Sequence, residues 1–164
     1  VNPSGGGWLI FLTLIGALLL AIVHLPESWP QWLGWLRPAW VPMVLFYWVL
    51  AVPHRVGLIS AWLVGVALDV LQAEPLGLNG VLLAGITFVA WRFYERLRMY
   101  AGLQHSLLLF FLLTLTELLR RSVNLLMTGE PIGTLWLLVP LMSAVSWPFV
   151  EWTLSRLQQR VRVE

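Results

Sequence analysis

Long apolar runs separated by short polar clusters set the pattern of this chain. Six stretches stand out: Trp8–Leu25, Trp40–Val52, Val56–Leu71, Leu76–Tyr94, His105–Met127 and Thr134–Leu154. A helix that crosses a bilayer needs about 20 predominantly apolar residues, roughly 17–25, and the second and third runs are short of or barely near that length. At about 1.5 Å per residue the second covers roughly 20 Å of a hydrocarbon core about 30 Å thick. It must thin the bilayer locally or be sheltered by neighbouring helices. A buried helix of a soluble protein would show the same short run, but its neighbours favour a tight transmembrane hairpin. Pro53-His54-Arg55 turns the second run into the third, and Gln72-Ala73-Glu74-Pro75 joins the third to the fourth. These connections leave no room for a folded extramembrane domain. The pattern predicts an all-α integral membrane protein, with residues 1–164 forming one domain of six transmembrane helices in a single bundle and a short tail over 155–164.

The segment before the first run, VNPSGGG, carries no positive charge, and the run ends in Pro26-Glu27-Ser28 without a small-x-small cleavage site. It reads as a retained span and not as a signal peptide.

Composition agrees with lipid as the solvent. The chain is 59% hydrophobic and 11% charged, with a mean hydropathy of +0.81, whereas soluble domains carry about 25% charged residues. Cysteine is absent, which excludes disulfides, thiol nucleophiles and Cys-type metal sites. The basic residues are ten arginines, and the net charge of +2 is too small to imply nucleic-acid binding. Their placement is more telling. With the N-terminus inside, cytoplasmic segments hold Arg55, Arg92, Arg96, Arg98, Arg156, Arg160 and Arg162, while only Arg37 lies outside the membrane zone on the other face. That bias follows the positive-inside rule and places both termini in the cytoplasm. The external segment over 27–37 puts Trp29, Trp32, Leu33 and Leu36 on one helical face. It reads as an interfacial anchor with tryptophans at headgroup depth, a plainer role than an aromatic ligand cage.

Candidate chemistry is sparse. No phosphate-binding glycine loop, nucleophile elbow or zinc-protease motif occurs, and His24, His54 and His105 fall at span ends on different faces. No catalytic residue, metal or cofactor is expected. Ionisable residues inside a membrane are costly and therefore informative. Glu117, Arg120, Arg121 and Asn124 share one face of the fifth span, with Glu117 and Arg121 at the favourable i,i+4 spacing. Asp69, near the outer end of the third span, lies roughly 20 Å deep from the inner end, as do Glu117 at roughly 18 Å and the two arginines at roughly 22–24 Å. The expectation is a buried charge network of Asp69, Glu117, Arg120 and Arg121, with Asp69 paired to Arg120 or Arg121. Outward snorkelling of both arginines and an ion pathway are the competing readings.

Small residues form a second pattern. Gly57, Ala61, Gly65 and Asp69 recur every four positions on the third span, Ala17 and Ala21 on the first, Gly80 and Ala84 on the fourth. Such faces allow close helix approach in lipid, for packing within the bundle or for docking a partner's helix. Pro140 and Pro148 in the last span free the carbonyls of Trp136 and Ala144, which Ser143 and Ser146 lie close enough to satisfy. Glu151 is the only charged residue near that break.

The stretch RPAWVPMVLFYWVLAVPHRVGLISAWLVGVALDVLQAEPLG, Arg37 to Gly77, resembles the rod shape-determining protein MreD family. The pieces that carry the resemblance are Arg37-Pro38-x-Trp40, Tyr47-Trp48-Val49-Leu50-Ala51-x-Pro53-His54-Arg55-Val56, and Gly65-x-x-Leu68-Asp69 followed by Leu76-Gly77. The resemblance implies a non-catalytic scaffold subunit of the cell-elongation machinery in the bacterial inner membrane. It implies direct contact with MreC, and MreB, RodA and the elongation-specific penicillin-binding transpeptidase in the same assembly. Membrane lipid is a further partner, nucleic acid is not one, and self-association remains open. Partner contact is expected through helix faces and the inner turn Pro53, His54 and Arg55. The fold implied is also similar to the six-helix substrate-binding subunits of energy-coupling-factor transporters. That likeness supplies an alternative, a small-molecule-binding subunit of an importer with polar groups converging in the outer half.

Overall fold

The computed structural model describes residues 7–23, 36–97, 99, 103–129 and 134–161. Among these every regular element is helical: α1 (Gly7–Ile22), α2 (Trp40–Ala51), α3 (Leu58–Gln72), α4 (Leu78–Arg92), a one-turn α5 (Tyr94–Leu97), α6 (Leu103–Thr128) and α7 (Leu138–Val161), the last entered through a 3₁₀ turn at Thr134–Leu137. The six long helices coincide with the six apolar runs. By length and composition, Leu135–Arg160 can cross a membrane, while α1, α2, α3 and α4 are apolar but shorter.

The shortest of them, α2, is the centre of the bundle. Its residues Val41, Val44, Leu45, Phe46, Trp48 and Val49 are all buried, and α1, α4, α6 and α7 pack around it. A 12-residue helix is thus shielded on nearly every side by longer neighbours, which answers the length mismatch noted above. Two hydrogen bonds fix its rotation and height. Trp48 donates its indole Nε1–H to Thr13 Oγ1 of α1 at 2.8 Å, and the Ala39 backbone N–H at its start donates to Ser143 Oγ of α7 at 2.8 Å. The fully buried Trp147 meets Phe46 edge-on, with ring centroids 5.3 Å apart.

The outward faces are also apolar. Phe11, Ile59, Val81, Leu107, Leu126 and Phe149 are exposed large side chains spread over five helices. Water disfavours contiguous apolar surface on this scale, whereas lipid tails solvate it.

Two details differ from expectation. The helix of α7 continues to Val161, so residues 155–161 extend the last helix instead of forming a loose tail. Leu154 is buried, Leu157 packs against the core, and Tyr47 Oη donates to Gln158 Oε1 at 2.7 Å. Pro140 sits at the 3₁₀-to-α junction, where a proline is tolerated. Only Pro148 lies well inside the helix, and the serine hydroxyls donate to other carbonyls than the freed ones, Ser143 to Val139 and Ser146 to Met142.

Candidate functional site

The functional candidates gather at the end of the bundle where α3 stops and α4 begins. Helix α3 ends on Ala73 in the left-handed conformation, φ 54°, and its Asp69 carbonyl accepts the N–H groups of Ala73 and Glu74. The chain then reverses, and Gly77, also left-handed at φ 91°, stands at the N-cap of α4. Glycine adopts that conformation without a Cβ penalty but brings no side chain to cap the helix. Asp69 supplies what is missing. Its Oδ2 accepts from Gly77 N at 2.7 Å and its Oδ1 from Asn79 N at 2.9 Å, and the residue is fully buried. A carboxylate one helix back therefore closes the first turn of α4, where the positive end of the helix dipole favours it.

This corrects the expected Asp69–arginine ion pair. Both carboxylate oxygens are held by backbone N–H groups, and Arg120 is reached at one remove through Asn79. The Asn79 Nδ2 donates to Glu74 Oε2 at 3.0 Å, and Arg120 Nη2 donates to Asn79 Oδ1 at 3.0 Å. Arg120 also lies 3.6 Å from Glu74 and 3.5 Å from Glu117, and Arg121 Nε lies 3.6 Å from the other Glu117 oxygen. Glu117 is buried. The cluster thus joins α3, the α3–α4 turn, α4 and α6. Glu74 and Asn79 were not singled out in the sequence. An amide at the start of an otherwise apolar run was the available signal for Asn79, while Glu74 looked like an ordinary turn residue.

Beside the cluster lies a cavity of about 320 Å³, reached by Arg37, Glu74, Glu117, Arg120, Arg121 and Asn124, with an apolar wall that includes Trp40, Leu68 and Val139. Arg37 bridges to the end of α1, donating from Nη2 to Leu20 O at 2.7 Å. That carbonyl belongs to the last turn of α1, where the negative end of the dipole favours a cation.

The small-residue face on α3 divides into two parts. At Gly65 an added Cβ would lie 2.5 Å from the Asn79 carbonyl oxygen and from the Gly80 backbone, so α3 and α4 touch backbone to backbone. Ala61, one turn earlier, is completely buried, as is Ala17 on α1, while Ala21 packs against the core from the cavity side. Gly57 does not belong to this contact. It is the N-cap of α3, and nothing lies within 4 Å of where its Cβ would be.

At the opposite end, His54 and Arg55 are exposed and Pro53 is half-buried in the α2–α3 turn, which is closed by Arg55 N–H donating to Val52 O at 3.1 Å. The same end holds an interhelical contact between His105 Nδ1 on α6 and Glu151 Oε1 on α7, 3.3 Å apart. Arg156 stacks on Trp152, 4.2 Å from the ring centroid. His24, Arg98, Arg162 and the tryptophan segment through Trp35 lie outside the described residues.

Comparison with known proteins bears on the whole chain. The family model of rod shape-determining protein MreD matches residues 4–155. The rod shape-determining protein MreD of Haemophilus influenzae is 26% identical over 153 residues, covering 93% of this chain and 94% of the relative. No solved structure matches the chain, so the expected likeness to energy-coupling-factor subunits gains no support there.

Proposed function

We propose, on the premise that this chain belongs to the MreD family of rod shape-determining proteins, that it is a multi-pass scaffold subunit of the bacterial cell-elongation machinery. The observation that carries this reading is the family match from residue 4 to residue 155. In this role it binds MreC directly and helps to organise lateral peptidoglycan synthesis together with MreB, RodA and the elongation-specific transpeptidase, without catalysis of its own. The exposed apolar side chains on α1, α3, α4, α6 and α7 support immersion in lipid. The five described arginines Arg55, Arg92, Arg96, Arg156 and Arg160, at one end of the bundle, support a cytoplasmic placement of that end. The Asp69 end, with its cavity, then faces outward. Because the helices leave little other surface, partner contact runs along helix faces and the Pro53-His54-Arg55 turn.

Depletion of the protein from its own host tests the role. Rounding of the cells, reversed by the intact chain, is the expected result, and cells that stay rod-shaped through several generations of depletion refute it.

A further inference from the structure

We propose that the cavity between α1, α2, α3, α6 and α7 binds a phosphate-bearing anion, with Arg37, Arg120 and Arg121 as its recognition groups. The inference stands on the lining and does not depend on the scaffold role. Among the described residues three guanidiniums and two carboxylates, Glu74 and Glu117, line the same space, while the third carboxylate of the cluster, Asp69, is engaged by backbone N–H groups. The ion pairs within the cluster are loose, at 3.5 to 3.6 Å, longer than a charge-assisted hydrogen bond of about 2.7–2.9 Å.

Arg120 also keeps an unused donor. Each guanidinium offers five N–H groups and accepts none. The Nε–H of Arg120 is buried without a hydrogen-bond acceptor among the described residues, and Arg37 has the Leu20 carbonyl as a neutral partner. A multi-oxygen anion approached from α6 and from the segment before α2 meets the unused Arg120 donor, and guanidinium forks match phosphate geometry well. A volume of about 320 Å³ accommodates a phosphate with a short attached group, at the lower end of ordinary ligand sites of about 300–1,000 Å³. The apolar wall of Trp40, Leu68 and Val139 suits a phosphate carried on an amphiphile. A phospholipid headgroup and a free phosphate share this chemistry, and binding measurements separate them.

The full chain is purified in a non-ionic detergent and probed with radiolabelled inorganic phosphate by equilibrium dialysis. Native mass spectrometry then follows added phosphatidylglycerol and phosphatidylcholine. Saturable one-to-one binding is expected, weakened at least tenfold by Arg37→Gln, which removes a charge-assisted contact. Val139→Phe, which fills the cavity and removes no charge, is expected to weaken it as much and covers the case in which Arg37 is needed for folding. Saturable binding of phosphatidylglycerol but not of free phosphate identifies a headgroup, and the reverse identifies a soluble anion. The proposal is overturned if neither probe binds saturably, if phosphatidylcholine binds equally well, or if Val139→Phe binds as the parent does.

Discussion

The carboxylate of Asp69 accepts the backbone N–H of Asn79 at 2.9 Å, so the last full turn of α3 caps the first turn of α4. Gly77 at the N-cap has no side chain to do this, and the tight return between the helices brings Asp69 within reach of two N–H groups that would otherwise be orphaned in a dry environment.

Asp69→Ala should therefore lower stability by about 2–4 kcal/mol, since one buried and one part-buried donor lose a charged acceptor. Asp69→Asn, which keeps one acceptor oxygen, should cost about half as much. The exchange of charges in Asp69→Arg with Arg121→Asp should not rescue the fold, because the partner of Asp69 is backbone. Unfolding titrations in mixed micelles measure all three, and full rescue by the exchange would show that the ion pair matters after all.

Gly65→Ala drives a Cβ to 2.5 Å from the α4 backbone. Neither element can yield locally, and a loss of about 1–3 kcal/mol is expected from overpacking. Gly85→Ala on the open side of α4 meets nothing within 4 Å and should be neutral or stabilising by up to about 1 kcal/mol. Equal melting temperatures for the two variants would contradict the backbone contact.

Much of this architecture was legible in the sequence, and the misreadings have physical causes. Apolar runs mark helices because backbone groups in lipid must be satisfied within the segment, so five of the six long helices fall within a few residues of their runs, and the sixth continues past its apolar run to Val161. Hydropathy cannot tell protein from lipid as the apolar surroundings, and the central burial of α2 needed the fold. Asp69 was recognised as buried, but a carboxylate is satisfied equally by guanidinium or by N–H groups. Only the left-handed Ala73 and Gly77 turn the chain sharply enough to select the latter. Gly57 continued a four-residue rhythm, yet it sits where α3 begins and packs against nothing.

Arg120 and Glu117 should show energetic coupling. Removing the guanidinium in Arg120→Leu leaves Glu74 and Glu117 without a shared cation, at a cost of about 1–3 kcal/mol given partial exposure. The double variant Arg120→Leu/Glu117→Leu should cost less than the sum of the singles by about 1 kcal/mol or more. Strict additivity would mean that the 3.5 Å contact contributes nothing.

The absence of cysteine makes topology directly testable. Arg55→Cys should resist a membrane-impermeant thiol reagent in intact cells and label only after permeabilisation, whereas Gln72→Cys should label from outside. The opposite pattern would invert the orientation drawn from the arginines.

Affinity purification of the full chain from native membranes in mild detergent, followed by mass spectrometry, tests the scaffold role most directly. MreC should be retained in near-stoichiometric amount, with retention reduced more by Arg55→Glu than by Arg37→Glu. Recovery of the intact, folded chain without MreC would contradict it.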